Sequence, residues 1–563
     1  MSSPVEWVAA PVPESAAGLE RDGVAPWLAA LLARRGVEDS RGAERFLHPS
    51  LDQLHDPFLL AGMEEGVARL LAARDAGQTV AIVGDYDVDG ISSTALLLAV
   101  FAACKIEAKP ILPNRLREGY GFQPVHVERA REMGCGLIVT ADCGSSSVDA
   151  VEAALAAGIG VLVTDHHLPG CPLPAGALHI NPRQEGCTYP FPDLAAVGLA
   201  FKLALALTRR CGKDVDPAPL LRIACLGTIA DLVPLHGENR VIAALGLKAL
   251  AAAKSQGLKA LILQSGMKPP FTAADVGFRL GPRINAAGRL HEPERALELL
   301  MSRDFDRATA LALELDGWNR ERQTTETRVV DEARQIFSAR AEGGGLPPIL
   351  VAWSAEWHKG VVGVAAGRLA KDFNRPVVLL AVDAAGSGLA TGSGRSVPGL
   401  ELHGFLASWK ERMERFGGHA QAIGLTVATA RLEELRGEWE AAGQSWPPEL
   451  LARRVEYELH LEPREVSPRL LAQLGALEPF GQGNPRPLLR TGPLRIEGTP
   501  RTFGKGHLSA RARAADGSAV ELVGWRWEER AESLRGSFEV LACVENDTYR
   551  GGPVLRLVDS RPC

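Results

Sequence analysis

Residues 79–90 read TVAIVGDYDVDG, and this stretch decides the fold. Residues 79–83 are an apolar run rich in β-branched side chains. A short run of that kind ending at a glycine reads as a strand buried on both faces. Asp85, Asp87 and Asp89 then present three carboxylates at alternate positions, just before a helical pattern at 92–103. Two later runs end in the same way. Residues 136–140 lead to Ala141-Asp142-Cys143-Gly144, and residues 160–164 lead to Asp165-His166-His167. A further apolar run at 108–112 and helical patterns at 124–133 and 148–157 complete an alternation that implies βαβ units. The expected fold is multidomain α/β, with a parallel sheet covered by helices on both faces. Three strand ends bearing Asp or His then share the edge where open α/β sheets bind ligands.

Asp231, in Gly227-Thr228-Ile229-Ala230-Asp231, follows a helical stretch and closes the set. These motifs contain no Lys or Arg. Such crowded carboxylates repel one another unless raised pKa values or cations neutralise them. Mostly oxygen ligands with one or two imidazoles favour Mn²⁺ or Mg²⁺ over a thiolate zinc site. The number of carboxylates suggests two ions about 4 Å apart, the arrangement that clamps the attacking and leaving oxygens of a phosphoester. Taken singly, a strand-end Asp is usually a turn or helix-cap residue. The coincidence of three such ends is what argues for a site.

Around this core the chain has 563 residues, enough for roughly three to five domains. A hydrophobic fraction of 46% and a charged fraction of 23% exclude a disordered or fibrous chain. Net charge is −6, so a polyanionic partner must be held by local basic patches. Only 12 of the 62 basic residues are Lys; Arg suits bidentate phosphate contacts, although a GC-rich genome gives the same bias. The nine Cys show no CxxC pair and read as reduced thiols. No basic signal-peptide region opens the chain, and the longest apolar stretch, 95–104, is far below the ~20 residues of a membrane span. The expectation is a cytoplasmic protein, monomeric and without a membrane partner.

The remaining organisation follows composition. Residues 1–54 read as a helical leader, with helices near 27–35 and 43–48, and 55–265 as the domain bearing the acidic motifs. Residues 266–343 form a linker and a long helix over 304–340, which lacks Pro. Residues 344–450, after a Gly-Gly-Gly and Pro-Pro boundary, alternate again, with strands at 349–353 and 377–382 around a helix at 361–371. Residues 451–563 are strand-rich with many Gly and Pro turns, as in a small β-barrel.

GDYDVDG (84–90), TADCG (140–144), TDHH (164–167) and GTIADLVPL (227–235) resemble the four motifs of the DHH phosphoesterase superfamily. The resemblance extends to its single-stranded-DNA-specific exonucleases. It includes Asn114-Arg115 with EGYG (118–121), GPRINAAGR (281–289), and WHKGVVG (357–363), GSGRS (392–396) and GGH (417–419), which look like a DHHA1 domain. EPFGQGNP (478–485) looks like the approach to an OB-fold. The resemblance implies a 5′→3′ exonuclease on single-stranded DNA in recombination and repair, using two Mn²⁺ or Mg²⁺ ions and a metal-activated water. It implies Asp85, Asp87, Asp142, His166 and Asp231 as metal ligands, with Asp142 bridging. Asp89 and Asp165 are open to either role, ligand or orienting group, and His167 contacts the scissile phosphate. A single-strand-binding protein and a helicase are the implied partners.

For substrate grip, Arg283, Asn285 and Arg289 lie in a Gly-rich segment with no evident structural partner. Ser393, Arg395 and Gly418 suggest a pocket for a 5′-terminal phosphate, with His358 and His419 in the neighbouring motifs. Asn114, Arg115, Arg117, Tyr120 and Phe122 combine charge with rings able to stack on bases, although Phe122 is equally a core residue. In the barrel, Arg490, Arg495, Arg501, Lys505, Arg511, Arg513, Trp525, Arg526 and Trp527 interleave basic and aromatic residues, with at least one Trp expected in the core. Two rivals remain. One is another phosphoesterase of the superfamily acting on short oligonucleotides, cyclic dinucleotides or pyrophosphate; the other is a non-catalytic single-strand binder.

Overall fold

The computed structural model describes residues 5–115, 118–119, 121–170, 172–341, 345–547 and 551–563. Its central sheet has five parallel strands in the order Ala108–Ile111, Thr79–Gly84, Cys135–Ala141, Gly160–Thr164, Leu178–Ile180. Alternation along each strand sends side chains to opposite faces. Val80 and Ile82 pack with helices Met63–Asp75, Val88–Ala103 and Ala196–Arg210. Ala81 and Val83 pack with Pro124–Glu132 and Val148–Ala156 on the other face. The strand 178–180, three residues long, is absent from the expected set.

A third core joins helices Ala218–Ala230, Gly237–Ala251, Gln256–Ser265 and Glu294–Met301 to the first half of the helix Phe305–Ala341. That helix has 37 residues and spans about 55 Å. Its second half, through Val329, Val330, Ala333 and Phe337, packs on the next sheet. One element therefore lies in two cores and fixes the distance between them. The segment 281–289, read from the sequence only as a Gly-rich part of the linker region, is the helix Gly281–Leu290. Its glycines serve close packing: a Cβ on Gly288 would lie 2.2 Å from the Tyr86 carbonyl oxygen.

The second sheet runs Arg415–His419, Ala422–Ala428, Leu389–Arg395, Val377–Val382, Leu350–Ser354, with only the last pair parallel. The C-terminal strands 489–503, 507–513, 519–524, 553–562 and 538–546 close into a barrel, because the first also pairs with the last. The leader is not purely helical: Glu6–Ala9 pairs in parallel with Arg454–Tyr457. Its helices share a core with the barrel, Leu19, Leu31, Leu32 and Phe46 packing with Leu459, Leu474, Leu508 and Phe538.

Candidate metal centre and nucleic-acid cleft

The carboxyl ends of adjacent central strands are stapled to one another. Asp85 N–H donates to Ala141 O, Asp142 N–H to Thr164 O, and Asp165 N–H to Ile180 O. This staircase brings the acidic ends to one place. Asp142 adopts φ +70, and Leu232, beside Asp231, adopts φ +62. Left-handed backbone at non-glycine residues is costly, and it clusters at functional sites.

His166 Nε2 lies 3.2 Å from Asp142 Oδ1, 3.7 Å from Asp231 Oδ2 and 4.0 Å from Asp89 Oδ2. Three groups could each hold a metal ion: Asp85, Asp87 and Asp142; Asp142, His166 and His167; Asp89, His166 and Asp231. Among the described residues, the buried atoms Asp85 Oδ1, Asp142 Oδ1 and His166 Nε2 have no hydrogen-bond partner. Buried polar atoms are normally satisfied, so three orphans spread over adjoining candidate groups that share Asp142 and His166 fit bound cations.

Electrostatics agree. Burial, then neighbouring carboxylates, pushes Asp85, Asp142 and Asp231 well above the usual carboxylate range. Burial and Asp87 raise Asp89 to about 7. Burial and His167 lower His166 to about 3, which leaves its imidazole neutral and able to ligate. Burial alone would raise Asp165, but the hydrogen bond and charge of His167, with backbone N–H donors, hold it at about 2. Burial is the largest single influence on His167 and lowers it, but the Asp165 hydrogen bond and the charges of Asp165, Asp85 and Asp87 together raise it.

The surrounding residues divide the roles. Asp165 Oδ1 accepts from His166 N, His167 N and His167 Nδ1, and Oδ2 accepts from Ser145 N. Asp89 accepts from Ala196 N and Val197 N at a helix N-terminus. Asp87 Oδ1 caps the helix 88–103 through Asp89 N and Gly90 N. The bland helix-cap reading thus holds for one oxygen of Asp87, while the residue still joins a candidate ligand group.

Family models match three segments: the DHH family N-terminal domain at residues 79–228, the DHHA1 domain at 346–442 and the RecJ OB domain at 457–558. The single-stranded-DNA-specific exonuclease RecJ of Salmonella typhimurium is 38% identical over 515 residues, 88% of each chain. That of Bacillus subtilis is 38% identical over 466 residues. The chain belongs to the RecJ family. The RecJ of Thermus thermophilus, crystallised with Mn²⁺, superposes with a TM-score of 0.83 at 31% identity, covering 100% of this chain and 80% of that one. The chain spans 58% of the length of the Bacillus subtilis relative, against 83% of the Dickeya dadantii one.

Beside the acidic centre of this RecJ-family chain, Asp85, Tyr86, Asp87, Arg115, Asn285 and Arg289 line a cavity of about 120 Å³. The Arg115 guanidinium sits 5.2 Å from the centre of the Tyr86 ring. Burial and the charge of Arg115 lower Arg289 to about 10, and the same pair of causes lowers Arg395. Cations therefore converge across the gap between the first two sheets without carboxylate ion pairs among the described residues. Arg395 and Ser393 point at the helix Val362–Phe373: a Cβ on Gly363 would lie 3.1 Å from Ser393 Oγ and 3.2 Å from Arg395 Nη2. Asn114 Nδ2 reaches His291 O at 3.5 Å, and His358 Nδ1 accepts from Gly360 N.

Several expectations change. Arg283 has a partner: it pairs with Asp316 at 2.7 Å, on the long helix. Asn285 Oδ1 accepts from Val88 N, so it holds the start of the helix Val88–Ala103 as well as lining the cavity. The strand register places Gly417 and Gly424 beside Ser393, and His419 and Ala422 beside Arg395. Gly418 falls on the opposite parity; a Cβ there would lie 2.4 Å from Ala422 O, and its φ is +136. It therefore serves the hairpin rather than the pocket, while His419 is exposed at the rim. Phe122 is buried core stacked on His126, and Trp527 is the core tryptophan of the barrel. Arg490, Arg511 and Arg513 are ion-paired with Glu539 or Glu497. Tyr120 and Arg117 lie outside the described residues.

Trp525 is 54% exposed and Phe503 43%, with His507 between them at 4.8 and 5.3 Å. Exposed Lys505 sits in the turn joining their strands. Phe503 and His507 were missed in the sequence, although they flank Lys505 in TFGKGHL.

Proposed function

We propose that the protein is a single-stranded-DNA-specific 5′→3′ exonuclease that hydrolyses phosphodiester bonds to release 5′-mononucleotides in recombination and repair. The observation that carries this is the set of three orphaned buried ligand atoms, one in each of the first three acidic motifs of a RecJ-family chain. Asp85, Asp87, Asp142, His166 and Asp231 hold two divalent ions, Mn²⁺ or Mg²⁺, with Asp142 shared because it belongs to two of the candidate groups. When bound, the ions lower the pKa of water and neutralise charge developing on the phosphate.

The chain's own residues do the rest. Asp165, held ionised, accepts a hydrogen bond from His167 Nδ1–H and fixes that ring, orienting Nε2 toward a non-bridging oxygen of the scissile phosphate. Asp89 anchors the helix 196–210 against the site. Arg115, Asn114, Asn285 and Arg289 carry the strand beside the centre. Arg283 acts one step away, tying the helix 281–290 to the long helix. Ser393 and Arg395, with the helix N-terminus at Gly363, receive a 5′-terminal phosphate, and His358 and His419 border the path. Lys505 and the platform of Phe503, His507 and Trp525 hold the strand on the barrel.

An enzyme confined to single strands needs duplex opened by a helicase and meets strands coated by a single-strand-binding protein, so these are its partners. It works as a monomer in the cytoplasm, where its DNA is. Among the described residues no single helix is long and apolar enough to cross a membrane. Digestion of a long single strand against a dinucleotide in Mn²⁺ tests the reading. Preference for the long strand supports it; cleavage of the dinucleotide alone would move the chain to the short-substrate phosphodiesterases.

A further inference from the structure

Arg240 is fully buried, yet among the described residues it meets no carboxylate. Its guanidinium donates to Phe46 O at 2.7 Å, Leu477 O at 3.0 Å and Glu478 O at 2.8 Å. It also lies 3.8 Å from the centre of the Phe46 ring. Burying a guanidinium without a counter-charge is costly, and carbonyl oxygens must compensate. Here those carbonyls come from the leader and from the segment that enters the barrel. Arg240 itself stands in the first turn of the helix Gly237–Ala251, nine residues after Asp231.

The segment 477–485 is tied together by Asn484. Asn484 Nδ2 donates to Leu477 O and Pro479 O, and its Oδ1 accepts from Arg35 Nε. The loop grips back onto the stretch of chain that follows Asp231. Leu235 N–H donates to Gln482 O at 2.7 Å. Gly483, at φ +71, lies so close that a Cβ would be 3.0 Å from Pro234 Cβ. Asn239 Nδ2 holds Pro234 O from the other side. Between Asp231 and this pinned stretch stands Leu232, left-handed at φ +62 and 69% exposed. A non-glycine residue in that conformation relaxes unless its neighbours forbid it. On one side the end of the helix Ala218–Ala230 holds it, Leu232 N–H donating to Ile229 O at 3.4 Å; on the other stand residues 233–236 and the loop seated on them.

We infer that Arg240 and the loop 477–485 form a clasp that positions the Asp231 carboxylate, so that metal affinity at the catalytic centre depends on how the C-terminal barrel is seated. Arg240 is thus a positioning residue, and the inference rests on the proposed reading of Asp231 as a ligand. A clasp that only cemented two domains would change thermal stability and leave the centre untouched.

Calorimetric titration of Mn²⁺ into the full chain distinguishes these roles. Asp231→Asn is the reference and should weaken Mn²⁺ binding; if it does not, the reading of the site fails. Arg240→Gln and Gly483→Ala should each weaken Mn²⁺ binding about tenfold, the scale expected when groups orienting a ligand are removed. Arg240→Lys should recover part of the loss. Gly483→Ala keeps the test available if Arg240→Gln does not fold. Unchanged Mn²⁺ affinity in folded clasp variants, with only a lower thermal midpoint, overturns the inference while leaving the site intact.

Discussion

His166 Nε2 and Asp142 Oδ1 stand 3.2 Å apart, and neither makes a hydrogen bond among the described residues. Burial and His167 hold His166 neutral down to about 3. With its lone pair at Nε2, the contact sets an imidazole lone pair against a carboxylate oxygen. Two acceptors at that distance in a buried place repel unless a cation sits between them. Asp85 Oδ1 is likewise buried without a hydrogen-bond partner. The site is therefore built for the loaded state and is strained when empty.

This strain has a pH signature. Asp142 is raised well above its ordinary value by burial first, then by Asp89, Asp87 and Asp231. A carboxylate raised in the folded state costs nothing at low pH, where it is protonated. It destabilises the fold as pH climbs from its ordinary value through its folded pKa, and the loss then stays constant. Asp142→Asn should therefore raise the thermal midpoint of the metal-free protein by several degrees at pH 8 and barely change it at pH 4. Calorimetric scans at the two values check this; equal midpoints at pH 8 would show that Asp142 carries no such burden.

Protons and metal compete for the same oxygens. The proposed ligands Asp85 and Asp231 are raised well above the usual carboxylate range, first by burial and then by neighbouring carboxylates. Mn²⁺ affinity should rise steadily from pH 6 to pH 8, and saturating Mn²⁺ should raise the thermal midpoint. Thermal shift against Mn²⁺ concentration measures both. A midpoint indifferent to millimolar Mn²⁺ would remove the metal centre from the account.

The 5′-phosphate pocket makes a narrower claim. Arg395 is held beside Ser393 and Gly363 with no carboxylate ion pair among the described residues. Arg395→Ala should erase any preference for 5′-phosphate over 5′-hydroxyl oligonucleotides, with a cost of about 1.5–3 kcal/mol, the range for a hydrogen bond to a charged group. Competition kinetics with the two ends would show it. An unchanged preference would place the terminal phosphate elsewhere.

Much of this was legible in the chain because the central strands are buried on both faces and carry their function at their ends. The runs at 79–83 and 160–164 lie within or coincide with strands Thr79–Gly84 and Gly160–Thr164. What escaped was set by tertiary packing. Leu178–Ile180 is too short to show a period, and Glu6–Ala9 is a strand only because Arg454–Tyr457 pairs with it. GPRINAAGR read only as a Gly-rich segment because its glycines disfavour an isolated helix, whereas Tyr86 leaves no room for a larger residue at 288. At the centre, the four motifs gave the residue types. Only the structure shows that Asp165 spends both oxygens on N–H donors, or that Gly418 faces away from Ser393.

The barrel platform is open to a direct test. Each stacked base is worth about 1–3 kcal/mol. Trp525→Ala, made in an Asp142→Ala background to prevent cleavage, should weaken single-strand binding about tenfold. Phe503→Ala should act in the same direction, because the rings of Phe503 and Trp525 lie 6.1 Å apart. Fluorescence anisotropy with a labelled oligonucleotide measures both; undiminished affinity in the pair would assign the strand to another face.

The most direct test of the central claim is digestion of 5′-labelled and 3′-labelled single-stranded and duplex DNA with Mn²⁺, beside an Asp142→Ala control. Immediate release of labelled mononucleotide from the 5′ end of single strands alone, abolished in Asp142→Ala, is the expected result. Binding of the single strand without cleavage by the unaltered chain would contradict it and leave the acidic centre without a catalytic role.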